Sequence, residues 1–238
     1  MKLDGKTILI TGASKGLGKE LALEISTRNT KLALIARNKS LLEELKSEIL
    51  KNNSECEIFA ADLCSATEIE NAIKYFHEKL GTIDILINNA GIGIFKPLEE
   101  IEIEEYDNMM NTNVRASFLV SKLLIPEMKQ KKLGQIVFIA SDVAKRTFKN
   151  GSVYCATKYA QDALASTLRK ELRNYGIKVT VIYPGLIDTY FADTEQGEEY
   201  KNDWLKTNEI TKSIVHLLEQ PDNVVIDELM IHPLSQDY

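Results

Sequence analysis

Tyr154 and Lys158 stand four residues apart in the stretch SVYCATKYA, residues 152–160. On a helix that spacing stacks two side chains on one face. A phenol ordinarily titrates near pH 10, too high for ready proton exchange at neutral pH. A neighbouring ammonium favours the phenolate and is expected to lower that value. The pair could then trade a proton with an oxygen atom of a bound molecule. The same spacing also arises by chance, so its weight depends on what the rest of the chain sets beside it.

A second chemical feature is TGASKGLG, residues 11–18, with glycines at 12, 16 and 18 between a short apolar run and a helical stretch. Glycine permits a tight turn and the close approach of a phosphate, because it has no Cβ. A helix that starts there offers free N–H groups and a positive dipole end. Gly12, Ser14, Lys15, Gly16, Leu17 and Gly18 are therefore candidates for cradling the pyrophosphate of a dinucleotide; the alternative is an ordinary glycine-rich turn. An NAD site would carry Asp or Glu about 20 residues further on, to hold the ribose 2′-hydroxyl. Here that place reads Leu34-Ile35-Ala36-Arg37-Asn38, with no carboxylate. A guanidinium grips a 2′-phosphate through paired hydrogen bonds, and Lys15 could add a second positive charge. The expectation is NADP(H) rather than NAD(H), with Arg37 and Asn38 at that end; the alternative is that both cations are simply solvated.

These residues need elements to hold them. Runs rich in Ile, Leu and Val recur at residues 7–10, 31–36, 57–60, 83–87, 135–140, 178–182 and 224–231. Each is short and apolar on both faces, as strands of a covered parallel sheet read. Amphipathic stretches at 40–51, 66–80, 103–130, 152–175 and 203–219 read as helices. The alternation implies an α/β fold: a Rossmann-type, doubly wound, parallel seven-stranded sheet with helices on both faces. No linker, repeat or low-complexity tract interrupts it, so residues 1–238 are expected to form one dinucleotide-binding and catalytic domain, with a substrate flap near 186–210.

The whole-chain properties narrow the functional class. The chain of 238 residues is 44% hydrophobic and 27% charged, the profile of a soluble globular protein. A formal net charge of −6 gives no support to nucleic-acid binding. The N-terminus does not read as a signal peptide, and no stretch approaches the roughly 20 apolar residues that span a bilayer. Cys56, Cys64 and Cys155 form no C-x-x-C pair and read as free thiols of a cytoplasmic protein. His77, His216 and His232 lack metal-ligand spacing and read as surface or packing residues, so no metal is expected.

The T-G-x-x-x-G-x-G spacing of the glycine loop resembles the short-chain dehydrogenase/reductase family, of the NADP(H)-preferring type similar to 3-oxoacyl-[acyl-carrier-protein] reductases and related carbonyl reductases. Asn88-Asn89-Ala90-Gly91 and the P-G-x-x-x-T at residues 184–189 carry the resemblance further, over roughly residues 5–190. It implies that Asp62, with Leu63, contacts the adenine, that Asn89, Ala90 and Gly91 border the cofactor, and that Pro184, Gly185, Ile187 and Thr189 border the nicotinamide. It implies that Ser141, thirteen residues before Tyr154, hydrogen-bonds the substrate oxygen and the tyrosine. Asn113, preferred over Asn111, then positions a water next to Lys158, and Lys158 also holds the nicotinamide ribose. Ser141 could instead cap a turn. The chain departs from many relatives at Asp142, which takes the place of a second serine and is expected on the substrate wall, and at Ala144 in place of glycine.

The implied reaction is NADPH-dependent reduction of a ketone or 3-oxoacyl carbonyl to a secondary alcohol, with Tyr154 giving the proton. The alternative is a non-catalytic NADP(H) sensor. Tyr190, Phe191 and Trp204 in the flap could cover an apolar ligand. Between Asp188 and Asp203 six acids, Asp193 among them, accompany one base, Lys201; this reads as a solvated acidic loop and speaks mildly against an anionic substrate held by the flap. A carrier protein would want a basic face, for which Lys122, Lys129, Lys131, Lys132, Arg169, Lys170 and Arg173 are candidates, although such runs are usually solvated helix faces. The small and apolar residues of 103–130 and 152–175 would suit a homodimer or homotetramer, or equally the protein's own core.

Overall fold

The computed structural model describes residues 2–237, the side chain of Asp193 excepted. Seven parallel strands form one sheet in the order β3-β2-β1-β4-β5-β6-β7. They are β1 (Thr7–Thr11), β2 (Lys31–Ala36), β3 (Glu55–Ala60), β4 (Ile85–Asn88), β5 (Gly134–Ile139), β6 (Ile177–Pro184) and β7 (Glu228–Ile231). The helices are α1 (Gly16–Ser26), α2 (Lys39–Ile49), α3 (Ala66–Leu80), α4 (Ile103–Met109), α5 (Ala116–Lys131), α6 (Ser152–Leu172) and α7 (Thr207–Leu218). The strand order runs outward from β1 in both directions. That leaves a crevice at the carboxyl ends of β1 and β4, where doubly wound sheets take their ligands.

Successive side chains of a strand point to opposite faces, and both faces are covered. Leu9, Ile35, Leu86, Ile136 and Phe138 pack on one side with Phe76 of α3 and Val120 and Leu124 of α5. Ile8, Ile10, Leu34, Ile87 and Val137 pack on the other with Leu21 of α1, Leu45 of α2 and Ile214 of α7.

Three elements differ from the sequence reading. The stretch 103–130 is not one regular helix: a π-helical segment, Met110–Arg115, joins α4 to α5. Hydrophobic periodicity does not register so local a widening. The last strand covers only Glu228–Ile231, half-exposed at the sheet edge, so the apolar run before it is loop. Helix α7 begins at Thr207 because residues 203–206 belong to the loop that precedes it.

Candidate active site

The loops after β1 and β4 are stitched together. Thr11 Oγ1 accepts from the backbone N–H groups of Asn89 (3.0 Å) and Ala90 (3.1 Å). Asn89 Nδ2 returns hydrogen bonds to the carbonyls of Thr11 (2.9 Å) and Gly12 (3.1 Å). Gly12 has φ +67°, and a Cβ there would stand 2.8 Å from Ala90 Cα, so only glycine fits this approach. A Cβ at Gly18 would meet Asn89 Nδ2 and the Gly12 carbonyl at 2.5 Å each. Thr11 was not singled out from the sequence, yet it is the hub that fixes both loops. Gly16 faces Thr189 across the crevice, so the segment after β6 lies over the glycine loop.

Helix α1 opens into this crevice with no side-chain cap: Lys15 occupies the N-cap position and gives no capping hydrogen bond. The first N–H groups of α1 are thus available to an anion. Ser14 is half-buried beside them and Leu17 is buried beneath. Lys15 Nζ lies 5.2 Å over the Tyr190 ring. Arg37, just past β2, is exposed and makes no hydrogen bond or ion pair with any described residue. Asn38 next to it caps α2, its side chain accepting from Leu41 N at 3.1 Å. Asp62 is exposed after β3, with Oδ1 accepting from Cys64 N at 2.9 Å, and Leu63 is buried below it.

Tyr154 and Lys158 share the first two turns of α6, as their spacing requires, and the ammonium stands 5.7 Å from the phenol ring centroid. The electrostatics differ from the sequence expectation. Burial pushes the Tyr154 phenol above its ordinary value; the Ser141 hydroxyl opposes this, and the Asp142 charge adds to it. Lys158 is 3% exposed, and burial pulls it down to about 7. The reason is desolvation, which disfavours the charged form of each group. The ammonium donates to the Ile139 carbonyl (3.1 Å) and to Gln161 Oε1 (2.9 Å). Gln161 stands three residues beyond Lys158, on the same face of α6; that spacing was the available signal for it.

Ser141 follows β5 and its hydroxyl donates to Asp142 Oδ1 at 3.0 Å, with the Pro184 carbonyl at 3.4 Å. It also caps the turn Asp142–Ala144, accepting from Val143 N at 3.4 Å. Asp142 does not present a free charge to the crevice. Its Oδ2 accepts from Arg146 Nε (2.9 Å) and Gln236 Nε2 (2.8 Å), with His232 Nε2 at 3.3 Å. Gln236 Oε1 in turn accepts from Leu186 N at 2.8 Å, and Gly185 N donates to the Ile231 carbonyl at 2.8 Å. His232, read as a surface or packing residue, is part of this cluster. Asn113 is wholly buried in the π-helical segment. Its amide is used by Ile92 N (2.8 Å), Ile92 O (2.9 Å) and Thr157 Oγ1 (3.0 Å), and a Cβ on Gly91 would stand 3.5 Å from both Asn113 Oδ1 and Lys158 Nζ.

The segment after β6 is a folded knot rather than a solvated loop. Ile187 bridges Leu205, and Lys201 is completely buried. The Lys201 ammonium donates to the Thr189 carbonyl (3.0 Å), Thr194 Oγ1 (2.7 Å) and the Glu195 carbonyl, and pairs with Glu198 at 3.0 Å. Asp188 is held by Gly197 N (2.8 Å) and Lys206 (3.1 Å). Of the three aromatic residues expected to cover a ligand, Phe191 packs on Tyr154 at 5.5 Å and Tyr190 lies under Lys15. Trp204 packs on Tyr200 instead. Two rings that the sequence reading missed, Phe95 and Phe148, complete the wall: Phe95 lies 5.4 Å from Tyr154 and 5.3 Å from Phe148.

The comparisons with known proteins agree with this geometry. A sepiapterin reductase of Chlorobaculum tepidum is 30% identical over 97% of each chain. An alcohol dehydrogenase of the archaeon Thermococcus sibiricus, solved with 5-hydroxy-NADP, superposes with a TM-score of 0.93 at 31% identity over 99% of each chain. A 3-ketoacyl-(acyl-carrier-protein) reductase of Brucella melitensis, solved with NADH, gives a TM-score of 0.89 at 28% identity over 98% of each. The family model described as short chain dehydrogenase matches residues 6–199, which span the glycine loop, Ser141, Tyr154, Lys158 and the segment after β6, and the chain therefore belongs to the short-chain dehydrogenase family of oxidoreductases.

Proposed function

We propose that the protein is an NADP(H)-dependent reductase that converts a carbonyl to a secondary alcohol, with Tyr154 as the general acid. The observation that carries this reading is the placement of Tyr154: buried at the crevice, in reach of Ser141, with the Lys158 ammonium 5.7 Å from its ring centroid. A neighbouring ammonium favours the phenolate, which works against the effect of burial and helps the phenol give its proton to an oxygen that gains negative charge.

The residues fit the cofactor. The uncapped start of α1 and the glycine loop, Gly12 to Gly18, would take the pyrophosphate. The unpartnered Arg37, with Lys15, would take the 2′-phosphate. Asn38, Asp62 and Leu63 lie toward the adenosine end, and Asn89, Ala90, Gly91, Pro184, Gly185, Ile187 and Thr189 toward the nicotinamide. When bound, the nicotinamide supplies the hydride to the carbonyl carbon. Ser141 orients the substrate oxygen and steadies its developing charge. Tyr154 delivers the proton, so one hydride and one proton together complete the alcohol. Lys158 holds its place beside Tyr154 through Ile139 and Gln161, and Asn113 fixes the backbone of Ile92 next to it.

The whole chain acts as one catalytic unit in this reading, with residues 186–210 as the flap, and the three unpaired thiols suit a reducing cytoplasm. Exposed Phe118 on α5 and Tyr159 on α6 suit a homodimer or homotetramer through those helices. The basic residues considered for a carrier protein are largely engaged: Arg169 pairs with Asp227, Lys131 with Asp84, and Lys129 lies over Tyr175. Among the described residues, no helix is long and apolar enough to cross a membrane.

The test is oxidation of NADPH, followed by its absorbance, against a panel of carbonyl compounds. Turnover that falls about 10²–10⁴-fold in Tyr154→Phe, with cofactor affinity retained, supports the mechanism. Tight cofactor binding with no turnover on any carbonyl would favour the sensor.

A further inference from the structure

Three phenylalanines from three separate parts of the chain cluster beside Tyr154, Phe95 and Phe191 against its ring and Phe148 against Phe95. Phe95 comes from the loop after β4, Phe148 from the loop before α6 and Phe191 from the segment after β6. Phe95 meets Phe148 edge-on at 73° and Tyr154 edge-on at 80°, and Phe191 lies 6.3 Å from Phe95. Backbone without side chains lies beneath them: a Cβ on Gly93 would reach Phe191 Cε1 at 2.7 Å, and one on Gly151 would strike the Phe148 ring. Phe95 and Phe148 nevertheless leave 41% and 38% of their surface open. Large apolar side chains in a crevice, half-satisfied by one another, are what a ligand pocket offers.

The charges around these rings are mostly spoken for. Lys96 is paired with Glu105, Lys145 with Asp162, and Arg146 with Asp142. Asp142 itself is saturated by its donors. Lys149, next to Phe148, is exposed and has no carboxylate partner among the described residues. Among the described residues beside these rings, Lys149 is the cation left for a substrate carboxylate, and it is exposed.

We propose that the substrate is an uncharged carbonyl compound whose group next to the carbonyl is an aromatic or similarly flat ring, seated among Phe95, Phe148 and Phe191. The ring faces left open by edge-on packing are the faces such a group would cover, offset-stacked or edge-on in turn. The carbonyl then points to Tyr154 and Ser141. The proposal rests on the carbonyl-reductase reading above and narrows it to one substrate class.

Steady-state kinetics with NADPH would compare an aryl methyl ketone, an aliphatic methyl ketone of similar size, an aryl 2-oxo acid and a 3-oxoacyl thioester. The aryl ketone should have the highest kcat/KM, by about tenfold or more over the aliphatic ketone. Phe95→Leu and Phe148→Leu keep an apolar side chain but lose the ring; each should raise KM for the aryl ketone severalfold more than KM for the aliphatic ketone. Equal kcat/KM for the aryl and aliphatic ketones, preference for the 2-oxo acid or the thioester, or leucine variants that leave the aryl KM unmoved would each overturn the ring assignment while the reductase reading stands. No turnover on any of the four would overturn both.

Discussion

Lys158 is nearly fully buried, with two neutral carbonyl oxygens as its partners among the described residues, which is an expensive way to keep an ammonium. Its pKa falls from 10.5 to about 7, so folding below pH 7 carries a charged lysine in both states and bears the whole cost. The cost fades as the pH climbs toward 10.5, where the unfolded chain sheds the proton too. Lys158→Met should therefore abolish turnover yet raise stability by about 1–3 kcal/mol at neutral pH, a gain that shrinks in alkaline buffer. Denaturant titrations at two pH values measure it; a loss of stability at pH 7 would contradict it. Arg37→Asp replaces an unpartnered cation with an anion at the end of β2. The ratio of KM values should move toward NADH by about 10–100-fold, and an unchanged ratio would remove the 2′-phosphate from that position.

Among the elements, the segment from Asp188 to Asp203 shows what a sequence conceals. One base among six acids reads as a solvated loop, but Lys201 is the buried centre that gathers the Thr189 and Glu195 carbonyls. Burial of a lone lysine has no signature in charge counting. The glycine loop, NNAG and the Tyr-Lys spacing were legible for the opposite reason, because close backbone approach and a shared helix face dictate residue type locally. Phe95 and Phe148 were not, because single aromatic residues in loops carry no periodicity and their meeting is a tertiary event. The π-helical turn around Asn113 escaped for the same reason. Lys201→Met should leave the Thr189 and Glu195 carbonyls without their donor, costing about 1–3 kcal/mol. It should also open the segment to limited proteolysis before the sheet unfolds, and uniform cleavage rates in both proteins would argue against the knot.

Over the whole molecule, the alternation of apolar runs and amphipathic stretches was enough to give a parallel seven-stranded sheet, since each strand had to be covered on both faces. The tail was not legible. Gln236 is a polar residue near the end of the chain, yet it binds both Asp142 and the backbone of Leu186. Gln236→Ala should cost about 1 kcal/mol and lower the thermal midpoint by about 2–4 °C, with a larger proportional loss in kcat than in cofactor affinity. Calorimetry beside kinetics would measure both; a stable variant with full kcat would detach the tail from the site.

The hydrogen bonds of Gln236 join Asp142, beside Ser141, to the backbone just after β6. Two walls of the crevice therefore shift together, and thermal loosening around β7 would reach Ser141 with Tyr154 and Lys158 themselves untouched.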